Sequence, residues 1–423
     1  MRFLFFISLL FIRSEGFTQQ AGSLIRQDEV TRIEKILSAN DMQGRQVFTP
    51  GIEKAAGFII EQFKSAGLIP MKGSKNYRQT FTMVKTKLEE ADAQFDGVPL
   101  DAGQVIALTA SPELSISQDD HYQKVYVKEG EDFRDTIFKY MDADQNFLIL
   151  VDTSFSERFA RLANFHMPQF EGSGNRIFIL TSSDPGQYQI HIRQEITKQS
   201  LTNIVGVLPG KSLKNEYVIF SAHYDHLGIG LPDARGDSIY NGANDDASGT
   251  TAVITLAKYF SELHNNQRTL IFAAFTAEEI GEFGSAYFSK QFDPEKLVAM
   301  FNIEMIGTES KWGNNSAYIT GYERTDLGSI LEKNLKGSKF KFYPDPYPAE
   351  QLFFRSDNAS LAKRGVPAHT ISTSKMDSEK YYHTQGDEFT TLDMQNMTEI
   401  IRSIALSAGS IIAGKDTPQR VKL

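Results

Sequence analysis

An apolar run from Tyr217 to Ala222 ends on His223-Tyr224-Asp225-His226-Leu227-Gly228, and no other junction constrains the chain so strongly. The run reads as a buried strand, so His223 leaves a sheet at the position where open α/β folds place their sites. Asp225 is spaced to hydrogen-bond the second ring nitrogen of His223 and fix its tautomer, as outer carboxylates do around zinc. A lone His-x-Asp is also ordinary packing, because metal ligands must cluster. Its meaning rests on the rest of the sequence.

Four further segments supply matching chemistry. Asn241 to Gly249 precedes a helix-periodic stretch, Thr251 to Leu263, with Val253, Ile254, Leu256, Ala257 and Phe260 at helical spacing. Asp245 and Asp246 are predicted in its first turn, as ligands or as simple caps. Thr276-Ala-Glu-Glu-Ile-Gly281 follows the strand-like run Thr269 to Phe275. Adjacent side chains diverge, so one of Glu278 and Glu279 is able to bind a metal while the other faces a water; a solvated acidic helix start is the alternative. Glu304 ends the apolar run Leu297 to Ile303, and a carboxylate between Ile303 and Met305 needs a partner. His383, in Tyr381 to Asp387, adds a neutral nitrogen donor. Two His and three acids, with one acid left as a base, suit two zinc ions sharing a carboxylate better than one tetrahedral site. The chain has no Cys, so a thiolate site is excluded.

The ordered set HYDHLG, NDDASG, TAEEIG, NIEMIG and YYHT resembles the M28 family of zinc metallopeptidases, in particular its secreted bacterial aminopeptidases. The similarity runs from about residue 196 to 415, and the helical stretch from Gly51 to Leu68 resembles the family's N-terminal region. The resemblance implies a zinc exopeptidase fold, an α/β architecture with a mixed central sheet flanked by helices. It implies two zinc ions per chain, held by His223, Asp245, Glu279, Glu304 and His383. Asp245 would bridge the ions, with Glu279 and His383 on one and His223 and Glu304 on the other. Glu278 would be the general base and Tyr382 a stabiliser of the oxyanion. Many members carry Asp where this chain has Glu304, a longer carboxylate with the same donors. Receptor-like relatives have lost ligands, and glutaminyl cyclases of similar fold use one zinc; neither carries this full set. The implied activity is removal of N-terminal residues from peptides. A carboxypeptidase or dipeptidase of the same family and a non-catalytic peptide-binding relative are the alternatives.

Charge points away from nucleic acid: 44 basic against 53 acidic residues leave a net charge of -9, which repels phosphate. Peptides are therefore the expected partners. Met1-Arg-Phe-Leu-Phe-Phe-Ile-Ser-Leu-Leu-Phe-Ile12 reads as a signal peptide over residues 1–20, too short to span a bilayer stably, and so predicts a secreted or periplasmic protein. A short uncleaved anchor is the other reading. The length calls for more than one unit. A catalytic domain is expected over 21–84 and 196–423. Residues 85–195, with short strands such as Phe147 to Val151 and none of the metal motifs, are expected as an inserted β-rich domain similar to protease-associated domains. His121, His166 and His191 within it, and His226 and His369 outside it, read as packing or surface residues. Arg355 and Asp357 lie in a segment similar to one near the family's active site, and a structural ion pair explains Arg355 equally well.

Overall fold

The computed structural model describes residues 21–141, 143, 145–163 and 168–422. The expected signal peptide and His166 lie outside the described residues. The described residues form two compact units, one of residues 21–80 with 201–422, the other of those between 81 and 200.

In the first unit, helices α1 (Gln27–Leu37) and α2 (Pro50–Ser65) precede strand β1 (Arg78–Phe95), along which the chain leaves. It returns on β2 (Tyr188–Leu208) and continues through β3 (Leu213–His223), α3 (Ser248–Leu263), β4 (Arg268–Phe275) and β5 (Leu297–Ile303). Then follow β6 (Ser316–Ile319), α4 (Leu327–Leu335), β7 (Lys341–Pro344), β8 (Ala368–Ser372) and α5 (Met394–Ser407). The sheet order is β7-β6-β8-β5-β3-β4-β2. Strands β4, β3, β5 and β8 are parallel, whereas β2 and β6 run antiparallel to their neighbours β4 and β8. The sheet is mixed and flanked by helices, as the sequence predicts.

The parallel centre forms because its strands are apolar on both faces. Every residue of β4 and β5 is buried. Alternation then sorts them: Ile219, Ile271 and Ala273 join a core with Phe288, Met300 and Leu361. On the other face Phe220 stacks on Phe272 at 5.6 Å, Phe301 at 5.1 Å and Phe260 of α3 at 5.4 Å. Each such buried ring contributes about 1.5–3 kcal/mol, which fixes α3 against the sheet. Gly249 opens that helix where any Cβ would lie 2.1 Å from the Ile303 carbonyl, so only glycine permits the approach.

One sequence expectation needs correction here. Asp245 (φ -110, ψ 99) and Asp246 (φ -127, ψ 46) are not in a helical turn, because α3 starts only at Ser248. Asp246 Oδ1 instead accepts from the Gly249 amide at 2.9 Å and the Met305 amide at 3.1 Å, capping the helix from outside it. Helix α5 ends at Ser407, and a separate short helix covers Gly409–Ile412.

The second unit holds a four-stranded sheet in the order Val105–Leu108, Arg176–Leu180, Phe147–Val151, Gln123–Val127. Leu148, Leu150, Ile177 and Ile179 pack on one face with Ile116, Ile190 and Ile192. On the other, Ile149 and Phe178 meet Ile137 and Phe159 of the helices Phe133–Met141 and Ser156–Ala163. His191 Nδ1 sits 2.9 Å from Ser115 Oγ in this unit.

Candidate metal centre

The parallel strands end together, and their register places the sequence motifs side by side. His223 closes β3 opposite Phe275 of β4, while Ser221 stands opposite Asn302 of β5. Glu278 and Glu279 therefore leave β4, and Glu304 leaves β5, at the same edge. Ala277 (φ 61), Met305 (φ 53) and His383 (φ 55) occupy left-handed backbone that residues with a Cβ seldom adopt. Each adjoins or is a site residue, so the backbone is strained at points where these side chains must be aimed.

Asp245 faces two histidines. Its Oδ1 lies 3.2 Å from His223 Nε2 and its Oδ2 3.2 Å from His383 Nε2. Glu279 Oε2 is 3.1 Å from the same His383 nitrogen. His223, Asp245 and Glu279 bring one ligand atom each within 4.8 Å of one another. Ligand atoms that share a tetrahedral ion at about 2.0–2.1 Å stand about 3.3 Å apart, so these separations suit zinc. Glu304 and Tyr382 line a cavity of about 50 Å³ beside the cluster, together with Arg355 and Ser356. The Tyr382 ring stacks on His383 at 3.9 Å. A larger cavity of about 690 Å³ lies at the far end of α3, between Leu263, Leu335 and Ile412, and contains none of these groups.

Electrostatics also call for a cation. Burial pushes the Glu278 carboxyl well above its ordinary range, reinforced by Glu304, Asp357 and Glu279. Glu304 rises to about 7 and Asp357 to about 7, both mainly through burial. His383, against Asp245 and Glu279, is raised to about 10. For His223 burial opposes the charged ring, but Glu278 and the two aspartates prevail and its pKa rises. His223 Nε2, Asp246 Oδ2, Glu304 Oε2 and both Asp357 oxygens are buried without a hydrogen-bond partner. Such a surplus of buried, unpartnered carboxylate oxygen is expensive unless a positive ion completes it.

Several supports went unnoticed in the sequence. His226, read there as structural, is buried in the centre with Nδ1 2.6 Å from Glu279 Oε1 and 3.9 Å from Asp245 Oδ2. Asp225 reaches His223 differently from the expectation: Nδ1 meets its backbone carbonyl at 3.1 Å, and the nearer carboxylate oxygen is 3.9 Å away. The Asp225 carboxylate is engaged elsewhere, accepting the amides of Glu278 at 3.2 Å and Glu279 at 3.4 Å. Asp387 likewise takes the Asn244 and Asp245 amides at 2.8 and 3.0 Å. Arg45 is buried and donates to the carbonyls of Leu37 (2.8 Å), Tyr224 (3.0 Å), Asn241 (2.6 Å) and Gly242 (2.9 Å). His369 is packing: its two ring nitrogens meet Thr320 O and Thr325 Oγ1, each at 2.8 Å. Arg355 pairs with Glu350 at 3.2 Å.

Known proteins resemble this chain in sequence and in fold. The chain is 23% identical to aminopeptidase YwaD of Bacillus subtilis (strain 168) over 245 residues, 53% of this chain and 48% of that protein. It is 26% identical to leucine aminopeptidase 1 of Ajellomyces capsulatus (strain H88) over 212 residues, 47% of this chain and 52% of that one. It thus spans about half the length of these curated relatives. An aminopeptidase from Aneurinibacillus sp. strain AM-1 shares the fold with a TM-score of 0.55, 18% identity, and coverage of 93% of this chain and 95% of that one. BSAP, a zinc aminopeptidase from Bacillus subtilis, also scores 0.55, at 15% identity with 93% and 97% covered. Residues 203–408, which contain every proposed ligand, match the model of Peptidase family M28, and the chain belongs to that family.

Proposed function

We propose that this protein is a dizinc aminopeptidase that removes residues from the N-termini of peptides. The observation that carries the reading is Asp245, whose two oxygens each face a different histidine at 3.2 Å, as a carboxylate shared by two ions requires. His223 and Glu304 would hold one ion, and Glu279 and His383 the other, with His226 donating to Glu279 and aiming its free oxygen. Bound zinc supplies Lewis acidity, which lowers the pKa of a water and polarises a carbonyl. Glu278 takes the proton of the attacking water and then returns it to the leaving amine. The Tyr382 hydroxyl, beside His383, donates to the oxyanion as charge develops there. Carboxylates left over around the centre attract a free α-ammonium and repel a C-terminal carboxylate, which favours the aminopeptidase over the carboxypeptidase reading. No helix among the described residues is long and apolar enough to cross a membrane. The apolar run near the N-terminus is what supports export of the protein.

The test is a pair of short peptides, one with a free amine and one N-acetylated, digested by the zinc-loaded protein and followed by mass spectrometry. The free peptide should shorten one residue at a time from its N-terminus and the acetylated one should persist. Equal processing of both, or loss from the C-terminal end first, would overturn the reading.

A further inference from the structure

Four large apolar side chains stand in solvent on segments next to the centre. Leu231 is 85% exposed, Ile229 55%, Ile280 42% and Tyr382 41%. All four sit on segments that carry or touch the centre. Ile280 follows Glu279, and Tyr382 stacks on His383. The Leu231 carbonyl accepts a 2.8 Å hydrogen bond from Gln385, two residues beyond His383. Ile229 and Leu231 belong to a hairpin in which Gly228–Ile229 pairs with Ile239–Tyr240. Its loop is closed by its own bonds, Gly230 to Ser238 at 2.8 Å and Gly236 to Asp233 at 3.0 Å, while the Asp233 carboxylate accepts the Arg235 and Asp237 amides at 2.8 and 3.0 Å. The two apolar residues are therefore presented on an ordered support.

Single exposed apolar residues are ordinary, but a group of them beside a polar site marks an interaction surface. The occupant follows from the way in. His223 and Asp245 are buried, whereas the His383 side chain is 36% exposed, so solvent reaches the centre past His383. A peptide whose ammonium is held by the inner carboxylates has this side as one way outward. Its residues beyond the scissile bond then lie against Ile280, Tyr382 and the hairpin.

We propose that Ile229, Leu231 and Ile280, with the exposed ring of Tyr382, form an apolar subsite for the residues that follow the scissile bond. The preferred substrates are peptides whose second residue is a large apolar one. This inference rests on the aminopeptidase reading. Burying one leucine-sized side chain on such a surface is worth roughly a tenfold preference, since the rim covers it only in part.

The experiment compares Ala-Leu-Gly, Ala-Asp-Gly and alaninamide as substrates of the zinc-loaded protein, with Leu231→Ser and the Ile229→Ser/Leu231→Ser double variant beside it. The wild type should favour Ala-Leu-Gly over Ala-Asp-Gly by about tenfold or more in kcat/KM. Leu231→Ser should remove most of that preference through KM, leaving alaninamide hydrolysis unchanged; because the residue is exposed, folding should be unaffected. Equal rates on the two tripeptides with alaninamide still cleaved, or a preference that survives in the double variant, would overturn the subsite alone. A protein that cleaves none of the three overturns the aminopeptidase reading and this inference with it.

Discussion

The strand ends of the first unit and the four-stranded sheet of the second treat polar groups in opposite ways. In the second unit, surface charges find partners: Arg193 meets Glu89 and Glu90 at 2.7 Å each, and Lys124 meets Asp184 at 2.8 Å, while the buried Arg176 donates to Gln169 at 2.9 Å. Its interior is built from Leu148, Ile149, Ile177 and Phe178, all fully buried. At the strand ends, Glu278, Glu304 and Asp357 are pressed together with their pKa values raised. Folding alone does not select such crowding; it is tolerated where a site needs it. Residues of the first kind should therefore be costly to stability and cheap to chemistry, and those of the second kind the reverse.

The sharpest break of this comparison is Glu278→Gln. Turnover of an aminoacyl reporter should fall by roughly 100-fold to 10,000-fold, while the melting temperature of the metal-free protein holds or rises because a repelled carboxylate is gone. A fall of less than about tenfold would move the base elsewhere. Ile149→Ala is its counterpart, expected to cost about 2–5 kcal/mol in a denaturant titration with turnover per folded molecule intact. Lower turnover in the folded fraction would end the separation of roles. Next comes His226→Phe, which removes the donor to Glu279 and should weaken zinc retention by about 10- to 100-fold against a chelator, read as bound metal. Unchanged retention would return His226 to a packing role.

The smallest effect belongs to Glu34, buried in α1, whose pKa is raised to about 8 by burial. A carboxyl held above its unfolded value contributes stability that is full below the unfolded pKa, near 4.5, and is lost as pH rises towards 8. Glu34→Gln does not titrate, so its advantage over wild type should grow between about pH 5 and 8, by no more than about 1.4 kcal/mol per pH unit. A pH-independent difference in melting temperature would show that Glu34 is not raised.

Much of this was legible in the chain itself. Strands β3, β4 and β5 announce themselves as continuous apolar runs, and each run ends on or beside the residue that reaches the site, as with Ala222 and His223. Hydroxyl, imidazole and carboxylate types at such ends carry a chemical signal that spacing preserves. The supporting contacts carry none. Arg45 bonds only to carbonyls and Asp387 to amides, and backbone groups exist at every position, so no pattern of side chains marks them. His226 was hidden differently: its place in the motif was visible, but the 2.6 Å contact to Glu279 depends on how two loops fold towards each other. Local sequence also misplaced the start of α3, because the Asp246 side chain, engaged with the Met305 amide just beyond β5, outweighs the helical preference of its own neighbours.

Arg45 also dictates an order of assembly. It joins residue 37 to residues 224, 241 and 242 across a stretch of chain that includes the whole excursion through the second unit. Contacts so distant in sequence form late, because closing the intervening chain must precede any reward from them. At about 5–20 residues per second of synthesis, the segment around Arg45 would wait on the order of ten seconds or more for its carbonyl partners to be made. The loops that aim His223 and Asp245 therefore gain their anchor only near the end of folding. A nascent chain leaves those loops unanchored until residues 224 to 242 have joined the segment around Arg45.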